Sequence, residues 1–133
     1  MERSEKRCPC GTGDVYGECC EPLHRGEREA ATAEGLMRSR FSAFAFADAD
    51  YVMRTWHPRT RPDSVEFDPG ERWTRLEIVD KTDGSPFHDQ GTVTFRAYFR
   101  NSDGRGYLEE RSSFVKEEGR WLYRDGDAEF HPQ

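Results

Sequence analysis

All four cysteines of the chain fall between positions 8 and 20, in the order Cys8-Pro-Cys10-Gly-Thr-Gly-Asp-Val-Tyr-Gly-Glu-Cys19-Cys20. The loop between the two pairs is polar and glycine-bearing, and it lacks the apolar residues of a core of its own. Such a segment gains most from an ion that cross-links it, because metal binding supplies folding free energy directly. Four thiolates suit tetrahedral Zn²⁺, and with every position filled by protein the ion is expected to be structural rather than catalytic. Disulfides are the rival reading. Cys8 and Cys10 are too close for easy pairing with each other, and Cys19 and Cys20 more so; cross-pairing stays open in an oxidising compartment, and free redox thiols are a third possibility. Residues 2–7 are polar or charged, without the apolar stretch of a secretory signal, which favours zinc and a cytoplasmic location. His24 follows closely and is the alternative ligand in place of one cysteine. The formal 2− charge of such a centre calls for compensation, expected from the Gly11-Thr12-Gly13 backbone N–H groups and from Lys6, Arg7 and Arg25.

Beyond this cluster the 133 residues suffice for one ordinary domain, so a small unit over 1–28 and a larger one over 29–133 are predicted. Hydrophobic residues make up only 34%, yet aromatics supply 13%, and these bury large areas per side chain. The net charge of −6 argues against nucleic acid held by charge alone. No apolar run approaches the ~20 residues of a membrane span.

The spacing of Leu36, Met37, Phe41, Phe44 and Ala47 predicts a helix over 33–46, capped by Thr32, with Glu34 in its first turn. Ser39 and Ser42 fall off that stripe, whereas Arg40 sits within it and is expected to be partly buried. Residues 21–29 read as an irregular connector. Asp48 or Asp50 caps a shorter helix through Tyr51, Val52, Thr55 and Trp56, stopped by Pro58. Residues 58–71 form a loop. The period then changes to that of strands: 73–80 with Leu76 and Ile78 on one face, 92–100 with Val93, Phe95, Ala97 and Phe99 together, 107–116, and a short last strand over 120–125. Helices first and an antiparallel meander afterwards make the class α+β. The sheet is expected to curl around the helices to hide Phe95, Phe99 and Trp121.

The segment Cys8-Pro-Cys10-Gly11-Thr12-Gly13 through Cys19-Cys20 resembles the SEC-C motif, the zinc knuckle of the SecA translocation ATPase. Leu36-Met37-Arg38-Ser39-Arg40-Phe41-Ser42-Ala43-Phe44, Asp50-Tyr51, Thr55-Trp56-His57-Pro58 and Glu110-Arg111-Ser112 extend the likeness. Together they resemble the YchJ family of bacterial proteins over essentially the whole chain. The resemblance implies a nuclear transport factor 2-like (NTF2-like) cone of helices against a curved antiparallel sheet, with Cys8, Cys10, Cys19 and Cys20 as zinc ligands. Some relatives carry a second such motif at the C-terminus, whereas residues 129–133 here contain no cysteine. Sheet faces of this fold often pair, so an oligomer is open.

In the translocase the motif docks a chaperone and the ribosome. A docking adaptor is therefore the first functional expectation, with Tyr16, Glu18, Leu23 and His24 as its exposed surface. The second is a small-molecule pocket or a small enzyme of isomerase, dehydratase or hydrolase type inside the cone. Arg40, Tyr51, Trp56, His57, Glu110 and Ser112 are the polar residues expected to point inward. Glu110 shares a strand face with Leu108, and an ion pair with Arg40 is expected. Glu110, Arg40 and His57 are the catalytic candidates. No Ser/His/Asp ordering or phosphate loop is discernible, so the reading leans away from catalysis.

Overall fold

Helix α2, Ala33–Ala45, forms where the sequence predicts it, and in a computed structural model that describes residues 2–132 it is the axis of the molecule. Thr32 is extended, and its Oγ1 accepts from the Gly35 N–H at 2.9 Å, satisfying one of the orphan donors of the first turn. Glu34 bonds Arg38 one turn on and Lys81 from the sheet. A one-turn helix α1, Glu21–His24, precedes it where the sequence suggests only a connector, with Pro22 in the first turn, where proline is tolerated. Helix α3, Ala49–Arg54, starts at Asp48, whose side chain accepts from Tyr51 N at 3.1 Å, so Asp48 rather than Asp50 is the cap.

Four strands follow as a continuous antiparallel meander: β1 Arg72–Asp83, β2 Gln90–Asn101, β3 Gly104–Glu117 and β4 Arg120–Pro132. Two-residue turns join β2 to β3 and β3 to β4. In the latter Glu118 and Gly119 both take positive φ, 53° and 79°, the geometry that matches strand twist. Strand β4 runs to Pro132 rather than ending near Asp125. Gly126 to Pro132 pairs with Ser112 to Gly106, which gives this polar tail the backbone partners its side chains do not announce. Irregularities between Trp73 and Arg75, Ile78 and Asp80, and Ser113 and Phe114 bend the sheet.

The concave face meets α2 in a core built on Leu36, Met37, Phe41, Leu76, Val93, Phe95, Phe114 and Trp121. Trp121 also donates Nε1–H to the Ala31 carbonyl. Phe99, nearer the rim, is only partly covered. The far side of α2 is covered too. Ser39 and Ser42 are fully buried although they lie off the apolar stripe, because the cysteine segment and α3 pack over them. No described helix is long and apolar enough to cross a membrane.

The β1–β2 connection depends on close backbone approach. A Cβ placed on Gly91 would lie 2.5 Å from backbone atoms of Gly84, whose carbonyl accepts from Ala33 N–H at the start of α2. Gly91→Ala is expected to destabilise the fold by about 1–3 kcal/mol in urea melts, since neither backbone can yield without moving α2. An unchanged midpoint would show that the connection is loose.

Candidate metal centre and cavity

The cysteine segment is held by its backbone before any ion is considered. Cys8 N–H donates to Asp14 O at 2.9 Å, Tyr16 N–H to Lys6 O at 2.7 Å and Gly11 N–H to Cys8 O at 3.3 Å. Arg38 of α2 donates to Cys10 O at 2.7 Å, which ties the segment to the helix. These constraints bring the four sulfurs within 4.8 Å of one another, with Cys10–Cys19 at 3.5 Å and Cys19–Cys20 at 3.9 Å. A tetrahedron of sulfurs each about 2.3 Å from a zinc ion has edges of about 3.8 Å, so the donor set fits a metal ion. All four thiols are free, and none is bridged.

Their protons are shared. Hydrogen bonds from Cys20 and Cys8 push the Cys10 thiol far below the usual range, the same contacts push Cys20 up, and burial raises Cys19 to about 12. A cation that replaces those protons relieves the competition between the sulfurs. Of the donors expected around the sulfurs, the Thr12 backbone N–H does serve Cys10, whereas the arginines do not. Arg7 bonds the Gly13 carbonyl and Arg25 pairs with Glu21; hydroxyls approach the sulfurs instead, Ser42 at Cys8 (3.3 Å) and Cys20 (3.4 Å), and Thr12 at Cys19 (3.2 Å). Ser42, thirty-four residues from Cys8, gave no local signal.

His24 is not part of the cluster. Its Nε2 faces the Ser39 carbonyl at 2.8 Å, so that nitrogen carries the proton and Nδ1 accepts from the Tyr16 hydroxyl at 2.5 Å. Both nitrogens are used, and neither joins the four sulfurs as the alternative ligand the sequence offered. Tyr16 itself is buried against Phe46, so two of the four residues expected to form a docking surface point inward. Burial lowers the His24 pKa below 6.5. The unfolded chain therefore takes up the proton first, and this group's contribution to stability, complete above about pH 6.5, falls as pH drops from there. An NMR titration should give a His24 midpoint below that of a free imidazole; a midpoint above it would contradict a buried neutral ring.

The second feature lies inside the cone, a cavity of about 160 Å³ between α2 and the sheet. Met37, Arg40, Phe41 and Phe44 line it from α2, and Trp56 from the segment after α3. Trp73, Phe95 and Ala97 come from β1 and β2, and Leu108, Glu110, Ser112 and Tyr123 from β3 and β4. A short parallel bridge sets the Trp56–Tyr123 wall: His57 N–H donates to Tyr123 O at 2.7 Å and Tyr123 N–H to Thr55 O at 2.8 Å. The two rings then meet edge to face at 5.0 Å.

Of the six polar residues expected inside, Arg40, Trp56, Glu110 and Ser112 line this cavity. Tyr51 is buried elsewhere, its hydroxyl 2.7 Å from Ser39 Oγ. His57 turns away: Nε2 meets Glu117 at 2.8 Å and Nδ1 accepts from Arg59 N–H, leaving it no role in the cavity. The expected Arg40–Glu110 ion pair does not form. Arg40 Nη1 is drawn to Val52 O (2.9 Å) and Thr55 Oγ1 (2.8 Å), while Glu110 Oε2 accepts from Ser112 Oγ and, at 3.0 Å, from Tyr123 Oη. Tyr123 was missed, although it stands two residues from Trp121 on one strand and so shares its face. Gly126 was also missed; a Cβ there would collide with the Glu110 carboxylate. Burial lowers Arg40 to about 10, which still leaves it charged at neutral pH. Trp56 Nε1 is buried with no hydrogen-bond partner, alone in this among the described residues.

Residues 32–126 match the family described as YchJ, middle NTF2-like domain. The chain belongs to the YchJ family. A UPF0225 protein of Streptomyces coelicolor is 55% identical over 120 residues, covering 90% of this chain and 94% of that protein. One from Deinococcus radiodurans is 47% identical over 121 residues, covering 90% and 88%. Among solved structures, the solution structure of a SEC-C motif containing protein from Rhodopseudomonas palustris superposes with a TM-score of 0.78 at 35% identity, covering 90% of this chain and 96% of that one. The crystal structure of a SEC-C motif containing protein from Psychrobacter arcticus gives the same TM-score at 31% identity, covering 94% and 84%. This YchJ-family chain thus has an NTF2-like cone and a four-cysteine cluster able to hold a metal ion.

Proposed function

We propose that this YchJ-family chain is a cytoplasmic small-molecule-binding protein, its cone enclosing a ligand and its four cysteines holding a structural Zn²⁺. The observation behind the reading is the buried Trp56 Nε1–H with no acceptor, in a residue whose ring helps line a cavity of about 160 Å³. A buried donor left unpaired costs about 1–3 kcal/mol, and native proteins rarely tolerate one without a reason. A convergent set of polar groups in a largely apolar cavity is the usual form of a ligand site. Zinc suits the centre because sulfur ligands in tetrahedral array are its preferred structural set, and reduced thiols suit the cytoplasm.

Docking to a ribosome or chaperone through the knuckle is the weaker reading, because Tyr16 and His24 are spent on internal contacts. Native mass spectrometry of protein purified without denaturation tests both parts of the proposal. The expected mass exceeds the chain by one zinc and by a small molecule that dissociates on mild activation. A spectrum showing only the chain and zinc, from every growth condition tried, would contradict the ligand-binding reading.

A further inference from the structure

The chemistry of the cavity narrows its occupant, given that a small molecule binds there. We propose that the ligand is a small monocarboxylic acid with an apolar body, its carboxylate received by Arg40 and Trp56. Arg40 is only 3% exposed, yet its hydrogen bonds run to neutral acceptors and through Nη1 alone. Among the described residues no carboxylate reaches it within salt-bridge distance, and no hydrogen bond uses its Nε or Nη2. Its guanidinium carbon lies 4.5 Å from the Tyr123 ring centroid and 5.2 Å from that of Trp56, a partial substitute for a counter-ion. Glu110 acts on Arg40 only from beyond salt-bridge distance, so the buried cation lacks a direct anionic partner, and an arginine fork is shaped for the two oxygens of a planar carboxylate.

The guanidinium edge, which makes no hydrogen bond, and the Trp56 indole N–H, the one buried side-chain polar atom without a partner among the described residues, are both donors only. The occupant must therefore present acceptors. Glu110 sets the charge limit. Its Oε2 is held by Ser112 and Tyr123 on the same cavity lining, so a ligand with a second negative charge meets a fixed carboxylate. Arg40 and Glu110 together already balance, so every negative charge a ligand brings goes uncompensated apart from its direct bonds to Arg40, which disfavours phosphates and dicarboxylates relative to a single carboxylate. The remaining lining is aromatic and aliphatic. The volume compares with the ~150 Å³ of an engineered apolar cavity that takes up benzene, so a phenyl-sized body fits.

The test uses the full zinc-loaded chain with ¹⁵N-labelled tryptophan, following the Trp56 indole resonance. Four probes share one apolar body: 3-phenylpropanoate, 3-phenylpropanamide, phenylsuccinate and 3-phenylpropyl phosphate. The monocarboxylate is expected to bind at least about tenfold more tightly than the other three and to move the indole proton downfield, as a charge-assisted hydrogen bond does. Arg40→Gln should abolish the preference for acid over amide. Trp56→Phe, which keeps the ring wall, should weaken the acid several-fold while the preference survives, and it serves if Arg40→Gln does not fold. Equal binding of acid and amide, or tighter binding of phosphate or dicarboxylate, overturns the carboxylate assignment and leaves the cavity a ligand site. Failure of all four probes, together with no co-purifying molecule, overturns both.

Discussion

Cys10→Ser is expected to abolish stoichiometric zinc and to lower stability by more than about 4 kcal/mol, the range reached when a structural metal is lost. Cys10 is fully buried, and its sulfur is in direct contact with Cys19. Serine offers a hydroxyl that ionises poorly and binds zinc weakly beside thiolates. Without the ion, the loop from Cys8 to Cys20 keeps only a few backbone hydrogen bonds and the Arg38 contact to Cys10 O. The damage should spread, because this segment covers the serine side of α2. Ser39 and Ser42 are fully buried there, Ser42 with cysteine sulfurs as partners, and the Tyr16–Phe46 contact at 4.9 Å closes the seam. Elemental analysis and urea melts of the variant, with wild-type protein in chelator as the parallel case, check this. Full zinc content or an unshifted melt in Cys10→Ser would contradict it.

Phe114→Ala should cost about 3–5 kcal/mol, the range for removing a buried aromatic ring. Phe114 is 1% exposed and packs from β3 between α2 and Tyr123, whose ring lies 5.8 Å away. Domains of this size are stable by about 5–15 kcal/mol in total, so the variant should melt at a far lower urea concentration. Because Tyr123 also lines the cavity, the ring's removal should loosen that wall and weaken any ligand. A loss below about 1 kcal/mol would mean that the sheet collapses onto α2 more readily than the packing implies.

The reach of the sequence can be judged at particular residues. The cysteine spacing, the Thr32 cap, the stripe through Leu36, Met37 and Phe41, and the alternation in β2 are local patterns, and the architecture follows from them. Features that depend on a distant segment were not legible. Ser39 and Ser42 look solvent-facing until the cysteine segment is laid over them. The polar stretch after Asp125 looks like a tail until β3 supplies its hydrogen bonds. In the cavity, Arg40, Trp56, Glu110 and Ser112 are among the lining residues, as residue type suggests. It did not say that Val52 and Thr55 would hold Arg40, or that Tyr123 and Ser112 would hold Glu110 apart from it. His57 lies past a helix end, and Tyr51 sits in the short helix α3, whose facing is set by tertiary contacts rather than by its own pattern. Those contacts here are Glu117 and Ser39.

The claim at the centre of this account is that the Trp56 indole N–H meets an acceptor supplied by a bound molecule. A high-resolution crystal structure of protein purified directly from its own cells is the most direct measurement. Density for an organic molecule within hydrogen-bonding distance of Trp56 Nε1 and Arg40 is the predicted result. A cavity holding only ordered water, or closed by a shifted Trp56 whose Nε1 bonds to the protein itself, would contradict it.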